Sequence, residues 1–361
     1  TSARPRSTRE AGVRRALLVL SALVLVLGAA DAWLGARAAR QRTERQRVGT
    51  LFTRAEASEL RKLPALRIEA AGETHAYGRV AGEWRCLSYH QAPADGRALQ
   101  EFLDALLSAE GIVHTRETEE APSYGINAPE TLRVSLQGPR ALADPGGDVQ
   151  ATLEIGRTLG EREGCFVRRK GTREVWAIAA DLRTPLERRL APGLPPLLAP
   201  AVVPESFLSE GGATRVEVTR PGATYVLERR ERALDPAAAQ PGDLPWTWFL
   251  LQGGAEHELA APVVEGYVGL LEHLPYVAVL EPAERASETI TIRLTDRARN
   301  ELRLAFGAPG PTGVVLALEP GPMLYRVAAR FLELVAPTPE ALRREYPEGD
   351  PWSAALAPKP R

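Results

Sequence analysis

Two parts of this chain follow the same plan, and no other feature restricts its fold as tightly. Leu66-Arg67-Ile68-Glu69 recurs as Thr214-Arg215-Val216-Glu217, each alternating apolar with polar residues as a half-buried strand does. Trp84 matches Trp248, and a Leu pair follows twenty-two residues later in both copies, Leu106-Leu107 and Leu270-Leu271. The spacing of Leu99, Phe102, Leu103, Leu106 and Leu107 predicts an amphipathic helix, and Val263, Val264, Tyr267, Leu270, Leu271 and Leu274 predict its counterpart. These stripes read as core. The match continues with Thr131–Leu136 against Thr289–Leu294, Leu153–Gly156 against Leu304–Gly307, Gly164–Val167 against Gly313–Leu316, and Val175–Ile178 against Leu324–Val327. Ala179-Ala180 and Ala328-Ala329 then open a short helix.

Each copy thus runs through three strands, a helix, about five strands and a final helix. Short strands joined by turns containing Gly and Pro (31 and 30 in all) indicate mainly antiparallel sheet with one face covered. The expected class is α+β: an N-terminal transmembrane helix, then two tandem repeats at 63–203 and 204–345, each an antiparallel sheet with one long and one short helix. The Pro-rich run Pro192 to Pro204 is the boundary. A polar insertion near Leu234 to Pro245 marks the second copy, and 346–361 reads as a loosely ordered Pro-rich tail.

The chain opens on a different signal. Residues 1–15 form a basic n-region, and the apolar run Leu17 to Leu34 spans roughly 27 Å as a helix, close to the thickness of a bilayer core. Residues 16–34 therefore read as a membrane anchor, and the Arg-rich 35–62 as a juxtamembrane connector. Gly28-Ala29-Ala30 and Ala30-Asp31-Ala32 offer the competing reading of a cleaved signal peptide. Arg residues flank the run on both sides and leave the positive-inside rule tied, but a short basic stretch ahead of an apolar one is an export signal. The soluble region is expected outside the cytoplasm.

Composition narrows the function. The formal net charge is −1 and the signs interleave, so no basic field exists to neutralise a run of phosphates, and nucleic acid is not an expected partner. Only Cys86 and Cys165 are present, too few for a Cys-based zinc site; they either pair in an oxidising compartment or stay separate buried thiols. No phosphate loop, nucleophile elbow or His pair at metal-ligand spacing occurs. His75, His90, His114, His257 and His273 are scattered, and each reads as a surface or locally bonded side chain. Glu117, Glu119 and Glu120 beside His114 read as a solvated loop. No catalytic, cofactor or metal residue is assigned, and no binding residue is fixed. Trp246 and Trp248 share one face of a regular strand, and only an irregular strand start sends one of them to water as an interface anchor.

Tyr124-Gly125-Ile126-Asn127-Ala128-Pro129 is the loop that stands out, since Gly125 permits positive φ, Asn127 can cap a turn and Pro129 holds Ala128 extended. Its expected role is a turn that positions the next strand; a ligand or partner contact is the alternative. Together with Trp84 before the Pro93-to-Leu107 helix, Leu153-Glu154-Ile155-Gly156, Phe166-Val167-Arg168 and Val175-Trp176-Ala177-Ile178, this loop resembles the bacterial domain of unknown function 4340 family, over roughly 60–345. The resemblance implies a single-helix protein of the bacterial cytoplasmic membrane, often encoded beside an ABC transporter permease and a gliding-motility-type auxiliary subunit. It implies no established activity. The expected function is a non-enzymatic extracytoplasmic accessory subunit of such an assembly, with the lipid bilayer, the permease and the auxiliary subunit as partners and no cofactor; the alternatives are a freestanding envelope ligand- or polymer-binding module and an enzyme.

Overall fold

The computed structural model describes residues 48–356, except 71, 145–146, 161–162, 210, 232–244, 282–286, 322 and 347–348, together with Trp33 and Leu34. The rest of the expected anchor and the first part of the connector lie outside the described residues. Among the described residues no helix is long and apolar enough to cross a membrane.

The fold is α+β with two antiparallel sheets. The first contains β1 (Val48–Thr50), β2 (Ala65–Ala70), β3 (Glu73–Val80), β4 (Glu83–Cys86), β5 (Ala92–Pro93), β6 (Glu110–Thr115), β7 (Leu132–Gln137), β8 (Val149–Thr158), β9 (Cys165–Arg169) and β10 (Val175–Ile178). The second contains β11 (Ala213–Arg220), β12 (Ala223–Glu231), β13 (Trp246–Gln252), β14 (Ala255–Leu259), β15 (Ala278–Leu280), β16 (Glu288–Asp296), β17 (Glu301–Gly310), β18 (Gly313–Glu319) and β19 (Leu324–Val327). Strand order is β5-β4-β3-β2-β7-β8-β9-β10-β6-β1 in the first and β14-β13-β12-β11-β16-β17-β18-β19-β15 in the second. Position by position the two orders are the same, with β1 as the extra edge of the first sheet.

The ladders refine the equivalence. Leu66 faces Leu136 and Val216 faces Leu294, so with Leu136 matched to Leu294 the partner of Leu66 is Val216 and that of Ile68 is Val218. The sequence pairing of Ile68 with Val216 is displaced by two residues, a slip that a period-two pattern cannot reveal because every side chain keeps its face. Arg79 faces Trp84 and Arg229 faces Trp248, and both guanidinium groups sit over the rings, at 5.0 and 6.0 Å.

Helix α1 spans Arg54–Leu60 and helix α2 spans Gly96–Leu107. Asp95 caps it by accepting the Ala98 N–H at 2.8 Å, and its whole apolar stripe is buried. Its counterpart α3 (Ala261–Glu272) has Pro262 in its first turn and buries Val263, Val264, Tyr267, Val268, Leu270 and Leu271. Glu265 of α3 accepts from both indoles, Trp246 at 2.9 Å and Trp248 at 2.7 Å, so the two tryptophans share the helix-facing side of a regular strand.

Three segments differ from expectation. Residues 48–62 are built into the first sheet: β1 pairs with β6, Leu51 and Phe52 are buried, and Thr53 and Glu56 form a capping box on α1. The short helix after β10 begins at Thr184 rather than at Ala179. The tail holds α4 (Pro351–Leu356), whose Trp352 is buried and donates to the Leu334 carbonyl at 2.9 Å; an apolar indole with a satisfied N–H outweighs the surrounding Pro content.

The Pro192–Pro204 run does more than separate the copies. Tyr77 of the first sheet donates to the Pro196 carbonyl, Tyr276 of the second copy donates to the Ala199 carbonyl at 2.8 Å, and the Val202 N–H reaches Leu274 O at 3.0 Å. One continuous apolar cluster includes buried residues of both sheets and both long helices. The fold thereby buries one face of each sheet and leaves the opposite faces to the polar residues of the alternating strands.

Candidate functional site

The Tyr124–Pro129 loop meets the other motifs on the polar face of the first sheet. A 3-10 helix, Thr118–Tyr124, ends at Gly125 in the left-handed region, φ 73°. A side chain at Gly125 would crowd the Arg157 backbone nitrogen at 2.8 Å, and one at Gly156 would run into the Tyr124 carbonyl, so each glycine permits the loop to lie on β8. Thr131 closes the loop, donating from Oγ1 to Gly125 O at 2.8 Å and accepting the Ala128 N–H at 2.8 Å. Arg183 clamps both sides, bonding Gly156 O at 2.8 Å and Glu130 O at 3.1 Å. Beneath the loop Ala121, Ile126 and Val175 form a small buried apolar patch. Over it the rings of His114, Tyr124 and Phe166 meet with centroids 4.8–5.2 Å apart.

A row of charges runs beside the patch. Glu69, Arg133, Glu154, Arg168 and Val175 face one another on consecutive strands, on the side opposite the buried Val134, Leu153 and Val167. Arg168 and Glu154 are nearly closed off from water, with side chains 10% and 6% exposed. Arg168 donates from Nε to Glu154 Oε2 at 2.8 Å and from Nη2 to Asn127 Oδ1 at 2.6 Å, while Arg133 stands 3.7 Å from the same carboxylate. Asn127 holds φ 61°, a conformation its short polar side chain tolerates. The loop thus positions the next strand, as expected, and in addition covers the end of an ion-paired sheet face.

The second copy departs here. Its corresponding row is Thr219, Thr291, Ala305, Ala317 and Leu324, with two alanines in place of the Glu154–Arg168 pair and a much shorter connection, 281–287, in place of 116–131.

Other candidates from the sequence stay apart. His75 is bonded to Glu73 at 3.3 Å and desolvation lowers its pKa; His273 bonds Gly269 O at 3.0 Å; His90 and His257 are exposed. Glu120 accepts from Thr115 at 2.8 Å, and Glu117 and Glu119 face solvent. Cys86 on β4 and Cys165 on β9 stand five ladder steps apart, roughly 24 Å, far beyond disulfide reach. Both thiols are buried, and burial raises both pKa values, that of Cys165 to about 11. Among the described residues no group of three His, Cys, Asp or Glu could hold a metal ion.

The loop, the Leu153–Gly156 stretch, Phe166–Arg168 and Val175 are therefore one contiguous structure, and residues 84–192, which contain all of it, match the family model described as Domain of unknown function (DUF4340). The similarity covers that segment. No curated protein and no solved structure matches the chain. Within this segment the sequence reading missed Arg183 and the bond between Arg168 and Asn127. Its available signal was opposite charge, Glu154 between two apolar residues on one strand and Arg168 next to Val167 on another.

Proposed function

We propose that the chain is a non-enzymatic accessory subunit of an ABC-type transport or gliding-type assembly, held by residues 16–34 in the bacterial cytoplasmic membrane with its two sheets on the extracytoplasmic side. The observation that carries this reading is the use of charge. Along both sheets ionisable side chains pair with cross-strand neighbours, as in Glu154 with Arg168 and Arg303 with Glu319 at 2.9 Å, which makes broad, rigid, polar faces on a single core. Such faces supply the polar rim of a docking interface. The apolar run Leu17 to Leu34 supports the membrane placement.

A freestanding envelope ligand- or polymer-binding module is the second reading, and the exposed His114, packed edge-to-face with Tyr124 and Phe166, favours it. Purification of the full chain from its native membranes in a mild detergent separates the two. The expected result is recovery in fixed ratio with a multi-spanning permease; a chain that elutes alone, and instead is retained on envelope polymer, overturns the accessory-subunit reading.

A further inference from the structure

The outer face of the first sheet has a second row, next to the one that carries the Glu154–Arg168 pair. Arg67 faces Ser135, Ser135 faces Thr152, and the Lys170 N–H bonds the Thr152 carbonyl at 2.9 Å. The duplicated sheet supplies an internal standard for this row. There the matching positions are Glu217, Arg293, Arg303 and Glu319, two charges of each sign. They neutralise one another: Arg293 lies 3.8 Å from Glu217, and Arg303 lies 2.9 Å from Glu319. In the first sheet the two outer positions are cations and the two inner ones hydroxyls.

The donors of that row outnumber their acceptors. Ser135 and Thr152 are bonded to each other at 3.0 Å, which uses one hydroxyl hydrogen and leaves the other to donate elsewhere. Arg67 pairs with Glu69 at 2.9 Å, but its Nε is buried without an acceptor. The Lys170 ammonium has no carboxylate partner among the described residues. Arg133 is held only loosely, 3.7 Å from both Glu69 and Glu154. Counting Arg168, four cations stand against two carboxylates, Glu69 and Glu154. Above them is a cavity of about 420 Å³, a size that accepts a small molecule; three of the cations, Arg67, Arg133 and Lys170, line it with both hydroxyls and the two carboxylates, and Arg168 lies outside it.

We propose that this cavity binds an oxyanion, the phosphate or carboxylate group of a small molecule or of a lipid headgroup, between Arg133 and Lys170 and over the Ser135 and Thr152 hydroxyls. A planar guanidinium and a mobile ammonium donate charge-assisted bonds to its oxygens, and the free hydroxyl donates a further one. The site belongs to the first sheet alone. Because its cations are partly exposed, binding weakens as salt rises.

The test uses the full chain in non-ionic detergent, titrated calorimetrically with inorganic phosphate, with acetate and with a short-chain, detergent-soluble phosphatidylglycerol. One site per chain is expected, weakened about tenfold in Lys170→Gln, the loss of one charge-assisted bond. Arg293→Gln, in the matching row of the second sheet, should bind as the natural chain does. Binding of free phosphate or acetate assigns the oxyanion to a soluble molecule; binding of the phosphatidylglycerol alone, weakened in Lys170→Gln, assigns it to a lipid. Absence of binding to every probe, or binding that Lys170→Gln and Arg293→Gln leave equally unchanged, overturns the site. Lys170 is exposed, so the variant folds, and an unshifted melt checks this.

Discussion

Arg168→Ala is expected to destabilise the chain by about 3–5 kcal/mol, because it leaves the Glu154 carboxylate, 6% exposed, without its principal partner. Asn127 loses its bond in the same step and the loop loses one of its ties to the sheet. The duplicated sheet indicates the remedy. It carries Ala305 and Ala317 where the first carries Glu154 and Arg168, on ladders of the same register. The double variant Glu154→Ala with Arg168→Ala removes both charges together and should recover most of the lost stability, since an ion pair withdrawn as a unit leaves no uncompensated charge. Thermal melts of the single and double variants decide it: about 2–4 °C should be lost per kcal/mol in the single variant. A double variant as unstable as the sum of the two singles would mean that burial of the pair has been misjudged.

Leu106→Ala is the second large effect. Leu106 is fully buried, with Leu99, Phe102, Leu103 and Leu107 beside it in the common core, and truncating such a residue costs about 2–5 kcal/mol from lost transfer energy and the cavity left behind. That is a large share of the roughly 5–15 kcal/mol that holds a domain folded. Glu101→Ala on the opposite face should change stability little, because its partner Arg97 and Glu101 itself are 77% and 65% exposed. A melt in which Leu106→Ala is silent would contradict the burial of the stripe in the core.

The duplication was legible because each strand and helix kept its order and its alternation between the copies. The register of the first strand was not, since a slip of two residues from Val218 to Val216 leaves the apolar face unchanged. Register is also what hides the charged rows. Glu69, Arg133, Glu154 and Arg168 are far apart in sequence and become neighbours only when the ladders align them, so neither their pairing nor the alanines that replace two of them could be read from one strand at a time. The Tyr124–Pro129 turn was readable from Gly125, Asn127 and Pro129. Its seat on β8 depends on the backbone approach at Gly156, which local sequence does not specify. Val48–Thr50 escaped because three residues carry too little pattern to declare a strand, although Leu51-Phe52 signalled burial. In the tail, Asp350-Pro351 was the available start signal: Asp350 accepts the Ser353 N–H at 2.7 Å at the head of α4.

The proposed extracytoplasmic placement of both sheets is the central claim of the functional reading, and a reporter of topology tests it most directly. Alkaline phosphatase fused after Arg361 and expressed in a bacterial host should be active, because the enzyme folds to its active form only after export and the proposal has the apolar run Leu17 to Leu34 direct the chain across. An inactive fusion, with a reporter that works only in the cytoplasm active at the same site, would contradict the account.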